Sequence, residues 1–149
     1  MMTWIRSVCV FWVVAMLFLG GCQSSAAPSG PSSEADFGEV VKVDNGSYRD
    51  ISVSELQTMM GNKDFSLVNV HIPFEGNLPE TDLSIPYDTI GQNLDKLPAD
   101  KTAKIVLYCR SGSMSTIASV KLANLGYTHI FNVVGGMIAW QQAGQTIEK

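Results

Sequence analysis

The sequence from residue 105 to residue 125, IVLYCRSGSMSTIASVKLANL, determines how the rest of the chain is organised. Its first four residues are apolar and predict a short buried strand. Residues 117–125 carry apolar side chains at helical spacing and predict a helix. Cys109 therefore lies at the carboxyl end of a strand, and a short turn rich in glycine and serine separates it from the helix.

A cysteine in this position is expected to be reactive. The backbone N–H groups of such a turn form a cradle for an anion, and the amino end of the following helix adds partial positive charge. Both effects favour the thiolate, which is the nucleophilic form of cysteine. Gly112 can adopt a left-handed conformation that other residues resist. The predicted site consists of the nucleophile Cys109 and the cradle residues Arg110, Ser111, Gly112, Ser113, Met114 and Ser115.

Residues 1–21 are predicted to be a lipoprotein signal peptide. A positive charge precedes the apolar run from Val8 to Leu19, which is too short for a membrane-spanning helix of about 20 residues. The following Gly-Gly-Cys step at 20–22 resembles a bacterial lipobox. We expect lipid on Cys22, and hence a protein anchored to a bacterial membrane outside the cytoplasm, on its periplasmic or cell-surface side. The alternative is a plain signal peptide or a membrane anchor that happens to end in cysteine.

Residues 22–39 are rich in serine, alanine, proline and glycine, so we expect a flexible tether there. The folded domain is expected to span residues 40–149. Arg6 is the one charged residue within 1–21, and its removal leaves nine basic and 14 acidic side chains, a formal charge of −5. This charge argues against nucleic acid or an anionic membrane surface as a partner.

Cleavage and lipidation would leave Cys109 as the only free thiol of the chain. Thiols outside the cytoplasm usually form disulfides, so an unpaired cysteine there is a candidate reactive group. A buried cysteine that only fills the core is the common alternative. The residues that follow Cys109 favour the reactive thiol.

Predicted strands and helices alternate through the domain, which is typical of a parallel sheet with helices on both faces. Strands are predicted at 65–71, 85–88, 104–108 and 128–134, and helices at 52–60, 88–97, 114–125 and 137–143. Ser52 and Glu55 match a capping box at the start of the first helix. The helix after the cysteine turn is expected to bury one apolar face, formed by Met114, Ile117, Ala118, Leu122 and Leu125.

His71 lies at the carboxyl end of a predicted strand, the edge at which open α/β sheets bind ligands. It either has a structural role or lines the site. The acidic residues Glu75, Glu80 and Asp82 follow in a loop without a cluster of histidine or cysteine. We therefore expect a solvated acidic loop and no metal site.

Three segments of the chain resemble the single-domain rhodaneses, a family of sulfurtransferases. Cys109 to Ser113 is similar to the family's active loop, which is Cys-Arg-x-Gly-x-Arg or a variant. Leu125-Gly126-Tyr127 leads into a strand, and residues 135–140, GGMIAW, resemble the family's Gly-Gly-x-x-x-Trp segment. The resemblance covers roughly residues 48–144, and the order and spacing of the three segments make it specific.

This resemblance implies a rhodanese-like α/β fold with a five-stranded parallel sheet, helices on both faces, and an enzyme that transfers sulfane sulfur. The Cys109 thiolate would attack the outer sulfur of thiosulfate or a persulfide, and the Cys109 persulfide would pass that sulfur to cyanide or a thiol. The chemistry needs no metal and no organic cofactor. We expect these small molecules as partners, together with the membrane through lipid on Cys22, and we expect a monomer.

The chain departs from the family pattern in three places. Met114 stands where many members end the loop with arginine, so a positive charge is missing near the site. Asn69 and His71 stand where many members have Asp-x-Arg; both are candidates for lining the site, and Asn69 could brace the active loop with neutral hydrogen bonds. Residues 79–88 replace the usual Gly-His-Ile-x-Gly-Ala segment. The lost charge favours a persulfide or another donor of low charge over thiosulfate.

Two other functions agree with parts of the sequence. The departures from the family pattern are compatible with a non-catalytic rhodanese-like module for sensing or protein docking. Cysteine phosphatases and arsenate reductases also place a cysteine loop before a helix, but they need an arginine six positions after the cysteine to bind the phosphoryl oxygens. Ser115 occupies that position, which disfavours a phosphatase.

Overall fold

The computed structural model describes residues 37–149. The predicted signal peptide, the lipidation site Cys22 and most of the predicted tether lie outside the described residues. Residues 37–149 contain six strands and three α-helices, and the α-helices follow the second, fifth and sixth strands. No helix in this part of the chain is long and apolar enough to cross a membrane.

The strands form one mixed sheet in the order β1-β2-β6-β5-β3-β4. They are β1 (Glu39–Val43), β2 (Gly46–Ile51), β3 (Ser66–Asn69), β4 (Leu83–Ser84), β5 (Ile105–Tyr108) and β6 (Ile130–Val133). Strand β1 runs antiparallel to β2, and all the other neighbouring pairs are parallel. The predicted α/β class is confirmed, but the sheet has six strands where five were expected.

The additional strand comes from a hairpin that the sequence analysis missed. β-branched residues in 40–43 and the polar two-residue turn Asp44-Asn45, followed by Gly46, favour two antiparallel strands joined by a tight turn. The hairpin adds β1 to the edge of the sheet beside β2. The other five strands, in the sheet order β2-β6-β5-β3-β4, form the parallel core that the resemblance implied.

Helices cover both faces of the sheet, as predicted. They are α1 (Val53–Met60), α2 (Ser113–Asn124) and α3 (Gly136–Gln142). Ala118 and Leu122 of α2 belong to one buried cluster, whereas Leu56 of α1 and Trp140 of α3 belong to the other. The parallel strands therefore lie between two apolar layers, and their carboxyl ends form one accessible edge.

Three local predictions are wrong. The helix predicted at 88–97 is two 3-10 turns, Ile90–Gln92 and Leu94–Lys96, because Asn93 between them leaves helical geometry at φ −118° and ψ 32°. The edge strand predicted at 85–88 lies at Leu83–Ser84, although the Ile85 and Tyr87 N–H groups still donate hydrogen bonds to the carbonyl oxygens of Asn69 and Val70. Ile117 is 53% exposed, because the buried face of α2 is formed mainly by small residues one position away, such as Ala118.

The predicted capping box at the start of α1 is confirmed. The Ser52 hydroxyl accepts a hydrogen bond from the Glu55 N–H (3.3 Å), and the Glu55 carboxylate accepts one from the Ser52 N–H (2.7 Å). Glu55 also accepts a hydrogen bond from the Gly38 N–H (2.8 Å), which attaches the start of the described chain to α1. Hydrogen bonds from the Ser52 N–H and hydroxyl lower the pKa of Glu55 below its usual range.

We predict that Glu55→Gln lowers the free energy of unfolding by about 1 kcal/mol at neutral pH, because an amide replaces the charged partner of the capping box. The pKa of Glu55 is lower in the folded state, so its stabilising contribution should disappear as the pH falls through that pKa. Urea unfolding of both proteins between neutral and acidic pH measures the difference. Glu39→Gln, on the exposed start of β1, is the control; a difference between wild type and Glu55→Gln that does not change with pH would contradict the prediction.

Candidate active site

Cys109 follows β5 near the middle of the sheet and is only 1% exposed. Its Sγ accepts a hydrogen bond from the Gly112 N–H at 3.1 Å and lies 3.6 Å from the Ser115 Oγ. Gly112 has a φ of +98°, in the region that favours glycine, and this conformation turns the chain back over the sulfur. The predicted cysteine turn is therefore formed, with the sulfur on its inner side.

Helix α2 begins at Ser113, one residue after the N–H that contacts the sulfur. The positive end of the helix dipole is therefore directed toward Cys109. Among the other predicted cradle residues, Ser111 and Ser113 are exposed, whereas Met114 is half-buried and packs against the core. The Gly112 N–H is the backbone donor that reaches Sγ, so fewer N–H groups contact the sulfur than the predicted cradle implied.

The first turn of α3 holds the cysteine loop in place. The Met137 N–H donates a hydrogen bond to the Cys109 carbonyl oxygen (2.9 Å), and the Ile138 N–H donates one to that of Arg110 (3.0 Å). Gly136 has a φ of +51°, and a Cβ at this position would collide with the Cys109 carbonyl oxygen. The Gly-Gly segment of the family resemblance therefore allows α3 to approach the loop backbone closely.

Asn69, at the end of β3, is 1% exposed and braces the loop of residues 71–77. Its amide nitrogen donates to the Gly76 carbonyl oxygen (2.9 Å) and the Asn77 Oδ1 (3.0 Å), and its Oδ1 accepts from the His71 N–H (2.9 Å). Asn69 was expected to brace the active loop by neutral hydrogen bonds. Its neutral hydrogen bonds hold the 71–77 loop instead, and Asn69 makes no hydrogen bond to the cysteine loop within the described residues.

Tyr108, which precedes the cysteine, holds residues 78–81 of the connection between β3 and β4. Its hydroxyl accepts a hydrogen bond from the Leu78 N–H (3.0 Å) and lies 2.7 Å from the Thr81 Oγ1. Burial raises the pKa of Tyr108 above its usual value, so the phenol stays protonated. Sequence analysis treated Tyr108 only as an apolar strand residue, although a tyrosine in a buried strand usually finds a polar partner.

Two charged side chains and His71 meet beside the cysteine loop. One oxygen of the Glu75 carboxylate lies 3.2 Å from the Arg110 Nε, and the other lies 3.5 Å from the His71 Nε2. The His71 side chain is 8% exposed, and neither ring nitrogen makes a hydrogen bond within the described residues. His71 thus lies next to the site, and only the Glu75 side chain separates it from Arg110, the residue that follows Cys109.

The acidic loop is exposed to solvent as expected, since Glu75, Glu80 and Asp82 are all exposed, but two of the three carboxylates are paired. Glu75 pairs with Arg110, and Asp82 pairs with Lys63 (2.7 Å) and accepts a hydrogen bond from the Leu67 N–H (2.7 Å). The sequence signal for the contact of Glu75 with His71 was their spacing of four residues, whereas no local spacing indicated the pairs with Arg110 and Lys63. Within residues 37–149, no group of three or more His, Cys, Asp or Glu side chains is arranged to hold a metal ion.

Residues 52–143 match the model of the rhodanese-like domain family. A sulfurtransferase from Allochromatium vinosum is 34% identical over 99 residues, which cover 64% of this chain and 90% of that protein. A rhodanese-related protein from Thermoplasma volcanium has a similar structure (TM-score 0.58, 27% identity, 67% of this chain and 97% of that chain). So does a rhodanese-like domain protein from Staphylococcus aureus (TM-score 0.55, 30% identity, 67% and 98%).

We predict that Gly136→Ala lowers the free energy of unfolding by about 3 kcal/mol or more, because the new Cβ would collide with the Cys109 carbonyl oxygen. Gly144→Ala is a matched control. Gly144 also has a positive φ, +80°, but has no atom within 4 Å of an added Cβ, so only the conformational cost of about 1 kcal/mol applies. Urea unfolding measures both variants, and equal losses of stability would show that the close approach to the cysteine loop does not matter.

Proposed function

The chain belongs to the rhodanese-like domain family, and on that basis we propose that it is a sulfurtransferase that carries sulfane sulfur as a persulfide on Cys109. The observation that carries the proposal is the hydrogen bond from the Gly112 N–H to the Cys109 Sγ, 3.1 Å long, directly before α2. A hydrogen-bond donor and the amino end of a helix both stabilise negative charge on sulfur. The similarity to a sulfurtransferase supports the same chemistry.

The proposed reaction has two steps. The Cys109 thiolate attacks the outer sulfur of the donor, a new S–S bond forms, and the bond between that sulfur and the rest of the donor breaks. The leaving group departs with the electron pair, as sulfite from thiosulfate or as a thiolate from a persulfide. In the second step, cyanide or a thiolate attacks the outer sulfur and regenerates the Cys109 thiolate. Each step exchanges one nucleophile for another, so the chain needs no external oxidant or reductant.

The charges near the loop support a donor of low negative charge. Arg110 is the single cation in residues 109–115, and its side chain is already paired with Glu75. Met114, the second residue of α2, offers an apolar side chain that packs on the core. A dianion such as thiosulfate would therefore find little uncompensated positive charge here. We propose a persulfide as the more suitable donor.

We further propose that the domain acts outside the cytoplasm as a monomer, anchored through lipid on Cys22. This part of the proposal rests on the apolar run and the Gly-Gly-Cys step of the sequence. Metabolic labelling of the full chain with a fatty-acid analogue tests it. Label that persists after Cys22→Ser would overturn the proposed lipidation site.

One observation favours a second function, a non-catalytic module for sensing or docking. Cys109 is 1% exposed, so a donor reaches the sulfur only after local movement of the loop. A rhodanese-like domain that only binds a partner through its surface would not need an accessible Cys109 sulfur. The two functions differ in whether Cys109 accepts sulfur at all.

We predict that exposure to a hydropersulfide adds the mass of one sulfur atom to the peptide that contains Cys109, and that excess thiol removes this mass again. Cys109→Ser should neither gain the mass nor support transfer to cyanide, because a serine hydroxyl is far less nucleophilic than a thiolate. Peptide mass spectrometry after blocking of unreacted thiols measures the addition. A folded, reduced wild-type protein that gains no sulfur from thiosulfate or from hydropersulfides would favour the docking module.

We predict that Met114→Arg raises kcat/KM for thiosulfate by about tenfold, because it adds one positive charge close to the path of a dianion. Met114→Gln is the control, since it introduces a polar side chain of similar length without charge. Steady-state production of thiocyanate from thiosulfate and cyanide measures both. An equal response of the two variants would mean that polarity or packing at position 114 determines donor use, and that charge does not.

A further inference from the structure

The Glu75 carboxylate contacts a basic side chain through each of its oxygens. Oε2 lies 3.2 Å from the Arg110 Nε, and Oε1 lies 3.5 Å from the His71 Nε2. Arg110 is the residue immediately after Cys109, so the carboxylate is held beside the start of the cysteine loop. The side chains of Glu75 and Arg110 are 44% and 56% exposed, which leaves the pair accessible to an approaching substrate.

The backbone on both sides of Glu75 is fixed. Asn69 binds the Gly76 carbonyl oxygen and the Asn77 side chain on one side and the His71 N–H on the other. Asn77 also exchanges two backbone hydrogen bonds with Glu148, at 2.7 and 2.8 Å. The carboxylate is therefore positioned by its loop as well as by its pairing with Arg110.

Stability does not account for this arrangement. An ion pair between half-exposed side chains contributes between about 0 and 1 kcal/mol to folding. The ion pair matters more for the local charge of the site, because the Glu75 carboxylate neutralises the single cation of the 109–115 loop. An anionic substrate approaching Arg110 also approaches the Glu75 carboxylate, and the repulsion grows with the charge of the substrate.

We propose that Glu75 is a specificity-determining residue that discriminates against dianionic sulfur donors and so directs the site to donors with one negative charge or none. The proposal rests on the sulfurtransferase chemistry proposed above and names its donor class, the hydropersulfides of organic thiols. In the transfer, the Cys109 thiolate bonds to the outer sulfur of R–S–SH, the S–S bond of the donor breaks, and R–S⁻ leaves. The proton stays on the transferred sulfur.

Two donors that differ by one charge test the proposal. Thiosulfate is a dianion, and methanethiosulfonate is a monoanion of similar shape that transfers its outer sulfur and leaves as a sulfinate. Glu75→Gln should raise kcat/KM by about tenfold for thiosulfate and by about threefold for methanethiosulfonate, because the repulsion removed scales with the charge of the donor. The ratio of the two values therefore shifts by about threefold toward thiosulfate, and high salt should reduce this shift.

Matched variants separate the local charge from other effects. Asp44→Asn removes one negative charge from the exposed β1–β2 turn and should leave the ratio unchanged. Glu75→Asp keeps the charge and should retain most of the discrimination. In Glu75→Gln combined with Arg110→Gln, the gain for thiosulfate should disappear, because the released cation is what attracts the dianion.

The outcomes distinguish this inference from the proposed function. If the wild-type protein transfers sulfur from methanethiosulfonate but Glu75→Gln leaves the donor ratio unchanged in a folded protein, the role of Glu75 is overturned and the sulfurtransferase stands. If Asp44→Asn shifts the ratio as much as Glu75→Gln, net charge explains the effect and the role of Glu75 is again overturned. If no donor loads Cys109, the proposed function falls, and the inference falls with it.

Discussion

The position of the Cys109 sulfur depends on two backbone hydrogen bonds between α3 and the cysteine loop. The first N–H groups of a helix have no partner within the helix, and those of Met137 and Ile138 donate to the carbonyl oxygens of Cys109 and Arg110. Only a residue without Cβ allows this approach at Gly136. The turn after β6 and the loop after β5 therefore form one unit, and the Gly112 N–H meets the sulfur because the backbone before it is fixed.

A second set of contacts fixes residues 71–81, which belong to the connection between β3 and β4. Of residues 71–81, His71 and residues 79–81 depart from the family pattern. Asn69 and Tyr108 lie on adjacent parallel strands, and each ends in a polar group that binds the backbone of this connection. Buried hydrogen bonds attach this segment to the sheet, although both ring nitrogens of His71 lack a hydrogen-bond partner within the described residues.

The parts of the fold that the sequence predicts correctly are those determined by neighbouring residues. The strand, turn and helix around Cys109 and the capping box of Ser52 and Glu55 depend on residues close together in the chain. The pairing of Glu75 with Arg110 and the contact of Tyr108 with Leu78 depend on the register of β3 and β5, which no local pattern specifies. The predicted helix at 88–97 failed for a related reason, because apolar spacing does not show that Asn93 leaves helical geometry.

Two independent features of the chain reduce the positive charge around the sulfur. Met114 removes a cation that the family pattern would place at the end of the loop, and Glu75 neutralises the cation that remains, Arg110. The two residues lie on different elements, and neither contributes much to stability through charge, because surface ion pairs are weak. The hydrogen bond from Gly112 and the helix dipole are left as the main sources of stabilisation for an anionic sulfur. The proposed persulfide donor fits such a site, because it carries a single negative charge and needs no second cation as a partner.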